Sequence, residues 1–237
     1  MKIDYKNKVY ENTGNHALLN LTPNSLDPSR ILDVGVGNGS NAAHLRFRYP
    51  SAVIEGITIS SEEAKIASDI LDKVWVFDIN GDIHDLLGKR KYDLIIISHV
   101  FEHLAEPGPV LCNFLRILNK GGICLIAVPN ILVLNRRIDF LWGNWNYTET
   151  GTMDKTHLRF FTYNNIEEVL ELSKLRYDIT VKKIADSRLP LVYFLKRLHM
   201  QTMVNWLNLK IGGLFPNLFS WQVMLLIKKN SDGDINK

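Results

Sequence analysis

Short apolar runs alternate with helix-period patterns along most of the chain. Residues 31–34, 52–59, 74–77, 92–98 and 123–128 read as strands, and residues 41–47, 61–71 and 110–118 read as helices between them. The run 92–98 holds Leu94, Ile95, Ile96 and Ile97 without a polar break, the pattern of a strand buried on both faces. In the helix at 110–118, Leu111, Leu115 and Leu118 share one side. Strands alternating with helices predict a parallel sheet with helices on both faces. Residues 179–184 and 222–228 read as closing strands. One helix is expected before Asn20, and Pro23 and Pro28 mark the loop that follows it.

Between the closing strands the pattern changes. Residues 191–209 have helical length, with Arg197, Gln201, Asn205 and Asn208 at i, i+4, i+8 and i+11, one narrow polar stripe on an otherwise apolar surface. From 187 to 229 there are six basic residues (Arg188, Lys196, Arg197, Lys210, Lys228, Lys229) and no acidic one. Such a segment fits a lid with buried apolar faces, a pairing surface for a homodimer, or a peripheral contact with an anionic membrane.

Composition narrows the classes. The length of 237 residues suits one α/β domain. A net charge of +3 argues against nucleic acid as a partner, and 46% hydrophobic with 22% charged residues argues against disorder. The two cysteines, Cys112 and Cys124, exclude a disulfide framework and an all-cysteine zinc site and fit a reducing cytoplasm. The polar start, Met1 to Lys6, does not read as a secretory signal. The longest apolar run, 123–134, is broken by Pro129 and Asn130 and is too short to span a bilayer.

The first strand runs into Asp33-Val34-Gly35-Val36-Gly37-Asn38-Gly39. Glycines in a strand-to-helix turn let a ligand approach the backbone, and the helix start offers N–H donors. The dinucleotide fingerprint fails here, because its sixth position, counted from Gly35, is Ser40. An acidic residue, one spacer and then Gly-x-Gly-x-Gly resembles instead the first motif of the class I S-adenosylmethionine-dependent methyltransferases. Further motifs occur in that family's order: Asp78-Ile79 after the third strand, Tyr92 to Leu104 at the fourth, and Leu118-Asn119-Lys120-Gly121-Gly122 before the fifth.

The resemblance implies a Rossmann-like α/β fold: a seven-stranded, mostly parallel sheet with helices on both faces and a helical insertion before the last strand. The whole chain, 1–237, then forms one domain. It divides into an N-terminal helical cap (1–28), a cofactor-binding core (29–184), an apolar basic insertion (185–220), the last strand (221–229) and a tail (230–237). S-adenosylmethionine is the implied cofactor. Asp33, Gly35 and Gly37 would cradle it, Asp78 would hold the adenine amino group with Ile79 packed on the ring, and Ser98 and His99 would stand beside it. One position departs from the family pattern. Thr58 occupies the second-strand end where an acidic residue usually grips the ribose hydroxyls, as in the Gly-Ile-Thr-Leu-Ser variant of the cyclopropane fatty-acid synthase branch. A hydroxyl is a weaker acceptor than a carboxylate, and Glu63, on the next helix, is placed to supply the missing charge.

The acceptor side is expected in residues 142–162, dense in aromatics and hydrogen-bonding groups. Asp-x-x-His-x-Arg-Phe-Phe-Thr within it resembles a branch of these methyltransferases found with polysaccharide and O-antigen genes. Trp145, Tyr147, Asp154, His157 and Arg159 suit a sugar or a phosphate-bearing group; an internal network of Asp154, His157 and Arg159 is the structural alternative. His103 and His157 are the candidates for general base. His99-Val100-Phe101-Glu102-His103 spells a zinc-protease pattern, but that pattern needs both histidines on one helical face. His99 directly follows a buried strand, so no metal is expected.

The leading expectation is methyl transfer to an oxygen of a sugar or glycan precursor. The alternatives are a lipid or other small acceptor at a membrane surface, and a non-catalytic module that binds the cofactor.

Overall fold

The computed structural model describes residues 9–10, 12–81, 83–175, 177–187 and 212–231. Its centre is a seven-stranded sheet in the order β3-β2-β1-β4-β5-β7-β6. β1 (Arg30–Val34) lies between β2 (Val53–Thr58) and β4 (Tyr92–Ser98), both parallel to it. β3 (Lys73–Val76) and β5 (Leu118–Pro129) continue the parallel part. β7 (Ser220–Ser231) inserts antiparallel between β5 and β6 (Asp178–Ser187). The expected α/β, mostly parallel, seven-stranded architecture is the observed one.

Side-chain alternation divides the interior into two cores. Leu32, Val34, Ile95, Ile97, Ile126 and Val128 face one side, where α4 (Ile83–Leu87) and α5 (Pro107–Ile117) pack. Ile31, Leu94, Ile96, Leu125 and Ala127 face the other, covered by α1 (His16–Leu19), α2 (Ser40–Arg48) and α3 (Ser61–Ala67). The continuous apolar run of β4 is thus buried on both faces, as its composition requires.

Several boundaries shift. The helix expected over 61–71 ends at Ala67; the Ser68 hydroxyl donates back to the Ala64 carbonyl at 2.6 Å, a local bond that competes with helix continuation. α5 starts three residues earlier than the apolar spacing suggested, with Pro107 in its first turn, where a missing N–H costs nothing. It stops before Leu118, where buried Lys229 donates to the carbonyls of Leu115 (3.1 Å) and Leu118 (2.9 Å). α4, α6 (Leu134–Leu141), α7 (Ile166–Val169) and α8 (Pro216–Phe219) were not anticipated. The helix expected over 191–209 lies outside the described residues. Among those described, no helix is long and apolar enough to cross a membrane.

Candidate functional site

The C-terminal ends of β1, β2, β4 and β5 open on one edge of the sheet, where ligands bind in open α/β sheets. At the end of β1 the chain turns on Gly35, Gly37 and Gly39, with φ of 75°, 53° and 83°. These are left-handed conformations that glycine adopts without strain. Asp33 sits beneath the turn, fully buried, and neither of its carboxylate oxygens makes a hydrogen bond. Burial pushes its carboxyl up to about 7, while the nearby Asn41 side chain pulls the other way. Two unsatisfied acceptor atoms at the floor of a glycine turn suit a ligand's cationic or N–H donor group.

Thr58 and Glu63 come together at the end of β2. The Thr58 hydroxyl lies 2.5 Å from Glu63 Oε2, and it accepts the Ser60 N–H at 3.0 Å. Ser60 caps α3, accepting the Glu63 N–H at 3.3 Å, and so fixes the first turn that carries the carboxylate. Glu63 is buried, at 5% exposure. The expected partnership of these two residues is therefore a contact, and each carboxylate oxygen keeps a second lone pair for a ligand hydroxyl. Asp78 follows β3, exposed, with Oδ1 accepting from the backbone (3.0 Å) and side chain (2.8 Å) of Asn80. Ile79 is buried in the core.

The N-terminal segment crosses this site as a strap. The Tyr10 N–H donates to Glu63 Oε1 at 3.0 Å. The Asn12 carbonyl accepts from Asn38 Nδ2 (2.9 Å) and from the Ser40 hydroxyl (2.8 Å). A Cβ on Gly37 would stand 2.9 Å from Asn12 Nδ2 and 3.1 Å from the Tyr10 carbonyl oxygen. Further along, Asn15 Nδ2 donates to Ser98 Oγ (3.0 Å) and to Gln222 Oε1 (2.8 Å). Gln222 Nε2 donates to Asp186 Oδ2 at 2.9 Å, which orients the amide.

At the end of β4, His99 takes a left-handed φ of 56°. Its Nε2–H donates to Gln222 Oε1 at 3.0 Å, and its Nδ1 lies 3.3 Å from Glu102 Oε1. Partial desolvation of the exposed ring opposes the charged imidazole, but the hydrogen bond and charge of Glu102 lift His99 above its ordinary range. Burial likewise opposes the Glu102 carboxylate, yet His99, and then the nearby His103 and His157, hold it below the usual range. Phe101–His103 forms a single 3-10 turn, so His99 and His103 do not share a helical face. The paired-histidine helix face of a zinc protease is therefore not formed by His99 and His103.

The loop after β5 folds back onto this turn. The Glu102 carbonyl accepts the N–H groups of Leu158 (2.8 Å) and Arg159 (3.0 Å). His103 and His157, the two base candidates, meet edge to face with ring centroids 4.9 Å apart. His103 Nδ1 is 2.9 Å from Thr156 Oγ1, which donates to Asp154 Oδ1 at 2.7 Å. Asp154 and Thr156 are both buried, so Asp154 acts through Thr156 rather than lining an open cleft. Arg159 Nε donates to the Ala105 carbonyl at 2.7 Å. Trp145 stacks on Phe140 at 4.7 Å and stands edge-on to Phe160 at 5.8 Å, while half of Trp145 and more than half of Tyr147 remain exposed. A cavity of about 180 Å³ lies beside them, lined by Arg136, Asp139, Phe140, Asn144, Asn146 and Met153.

Sequence reasoning missed Asn15, Gln222 and Thr156. Nothing local marks the first two, which meet across almost the whole chain. Thr156 stood in plain view between Asp154 and His157.

Residues 8–177 match the family described as a methyltransferase domain. The chain is 27% identical over 153 residues to a malonyl-[acyl-carrier protein] O-methyltransferase of Geobacter sulfurreducens, covering 64% of this chain and 57% of the relative. It is 30% identical over 104 residues to a trans-aconitate 2-methyltransferase of Azoarcus sp., covering 44% and 40%. The chain thus spans about half the length of these curated relatives. Among solved structures, a SAM-dependent methyltransferase from Archaeoglobus fulgidus superposes with a TM-score of 0.54 at 20% identity, covering 84% of this chain and 85% of that one. The plantazolicin methyltransferase BamL, in complex with a triazolic desmethylPZN analog and SAH, gives 0.57 at 16% identity, covering 86% and 78%. These likenesses share the fold.

Proposed function

The chain belongs to the methyltransferase-domain family, and from that premise we propose that it transfers the methyl group of S-adenosylmethionine to an oxygen of a small polar acceptor, a sugar or glycan precursor. The observation that carries the cofactor assignment is the Thr58–Glu63 pair beside the glycine turn. Together they offer the ribose hydroxyls a buried carboxylate at the edge where the family usually has one on the strand itself. Asp33, with two unpartnered oxygens, suits the amino group of the methionine moiety. Asp78 and Ile79 complete the adenine side, and Ser98 and His99 border the site from β4. When bound, S-adenosylmethionine supplies a methyl group already activated by its sulfonium. The protein's task is then to align the acceptor, exclude water and take up one proton.

Proton uptake falls to the pair at the acceptor edge. Burial lowers the His157 pKa, which favours the neutral imidazole a base requires. His103 is oriented by Thr156 and Asp154. The glycan reading draws on the cavity beside Trp145: one guanidinium, one carboxylate and two amides next to an aromatic face are groups that recognise hydroxyl-rich ligands. A second reading, an acceptor at a membrane surface, is favoured by Leu141 and Trp142, 85% and 81% exposed at the end of α6.

Titration calorimetry with S-adenosylmethionine, S-adenosylhomocysteine and NADH tests the premise. Binding of the first two and not the third is expected; no binding of either methionine derivative overturns it. Transfer of labelled methyl groups to nucleotide sugars against lipid vesicles then separates the two acceptor readings.

A further inference from the structure

We propose that Glu102, His103 and His157 form a site for a divalent transition-metal ion of the zinc type, held by one carboxylate oxygen and two imidazole nitrogens. The sequence pattern had suggested His99 and His103 as its histidines and failed on helix geometry. The fold replaces His99 with His157, carried in by the loop after β5.

One ligand-competent atom from each of the three residues lies within 4.8 Å of the other two. Ligands of a tetrahedral ion with bonds of about 2.1 Å stand about 3.4 Å apart. Closing the widest gap therefore needs at most about 1.4 Å of movement, within reach of small side-chain rotations.

The Thr156 hydroxyl has a single proton and donates it to Asp154, so it accepts from His103, whose Nδ1 must carry a hydrogen. His157 Nδ1 faces the Thr152 carbonyl at 3.2 Å, which can only accept. Both imidazoles, when neutral, thus carry their lone pair on Nε2. A second hydrogen-bond partner that fixes the ring through the other nitrogen is the usual support of a metal-binding histidine.

Glu102 is 1% exposed, and its Oε1 is taken by His99 while its Oε2 has no partner. A buried carboxylate oxygen left without a donor is poorly satisfied without a cation. Three protein ligands leave a fourth position open for water or an acceptor oxygen, the arrangement of catalytic rather than structural sites. An ion there would lower the pKa of an acceptor hydroxyl, whose proton would pass to solvent water; with the ion bound the two histidines serve as ligands, and the proton uptake proposed above belongs to the metal-free chain. That role rests on the function proposed above; the binding of the ion does not.

Co²⁺ titration of the metal-stripped full chain reads the site directly. The expected result is a visible absorption band saturating at one Co²⁺ per chain and displaced by Zn²⁺. His157→Gln and Glu102→Gln should abolish the band, and Thr156→Val should weaken affinity about 10- to 100-fold. The rings of His16 and His44, 4.7 Å apart, are a second histidine pair among the described residues, so His44→Asn must leave the band intact. A wild-type chain with no saturable band overturns the proposal without recourse to any variant. So does a band that disappears in His44→Asn and survives in His157→Gln. S-adenosylhomocysteine binding, measured on the same samples, keeps the two readings apart: wild-type protein that binds it but not Co²⁺ defeats this inference alone, and the reverse defeats the proposed function alone.

Discussion

Glu63, on the first turn of α3, meets Thr58 at the end of β2 through a 2.5 Å hydrogen bond. On the function proposed above, the carboxylate at this edge stands on the helix instead of the strand, and the strand residue holds it. Ser60, capping the helix, fixes the distance between them.

Removing the charge while keeping the shape tests this arrangement. Glu63→Gln is expected to weaken S-adenosylhomocysteine binding about 10- to 100-fold, the span of a lost charge-assisted hydrogen bond. Thr58→Val should cost less, about 3- to 10-fold, because the carboxylate stays but loses its positioning partner. Calorimetric affinities that are unchanged in both variants would remove Glu63 from the ribose site.

Asp33 ties the stability of the chain at the glycine turn to pH. Its folded-state pKa of about 7 stands above the ordinary 3.8. The folded chain therefore holds this proton across a range where the unfolded chain has released it. Stability contributed by the group is present below pH 3.8 and is lost as pH rises towards 7, by at most about 4 kcal/mol. Asp33→Asn should flatten that slope in urea unfolding of the ligand-free chain, raise stability at pH 8, and weaken cofactor binding. An unaltered slope in the variant would assign the burial penalty elsewhere.

Gly37→Ala addresses the strap. At a φ of 53°, a Cβ here is strained and meets Asn12 Nδ2 at 2.9 Å and the Tyr10 carbonyl oxygen at 3.1 Å. The N-terminal segment should lift from the glycine turn, with faster amide exchange for residues 10–15 and little change in β4 or β5. Protection identical to wild type would show that the strap tolerates the methyl group.

Thr156→Val keeps the volume and cuts the relay from Asp154 to His103. Turnover on any accepted substrate should fall about 10- to 100-fold, as for loss of an orienting partner, with S-adenosylhomocysteine affinity unchanged. Stability should drop by about 1–3 kcal/mol, because buried Asp154 loses an acceptor bond. A selective effect on KM instead would place Thr156 in acceptor binding.

The strands and the glycine turn were legible because their signals are local. Leu94 to Ile97 can only be a doubly buried strand, and Gly35, Gly37 and Gly39 announce a turn with left-handed backbone. The Thr58–Glu63 partnership was legible because five residues span a strand end and one helical turn. The acceptor edge was legible only as a list of reactive residues. Glu102 next to His103 spelled a motif whose helical geometry does not exist here. His157 is brought beside His103 by the Leu158 and Arg159 backbone bonds to the Glu102 carbonyl, a contact with no sequence signature. Asn15 and Gln222 are more extreme: two ordinary amides become partners because α1 and β7 meet at the same sheet edge.

The position of β7 sets a schedule for assembly. Among the described residues β6 has no neighbour in the sheet except β7, which joins it to β5. A chain emerging from the ribosome can pair β1 to β5 early, but it carries β6 as an unattached ribbon until Ser220–Ser231 has been made. Until then the edge of β5 presents open N–H and C=O groups, the kind of surface that recruits other strands. Completion depends on contacts distant in sequence, which slows folding. The last strand thus acts as the keystone of the domain, and a chain cut before Ser220 would expose a sticky sheet edge as well as lose Gln222 from the network around His99.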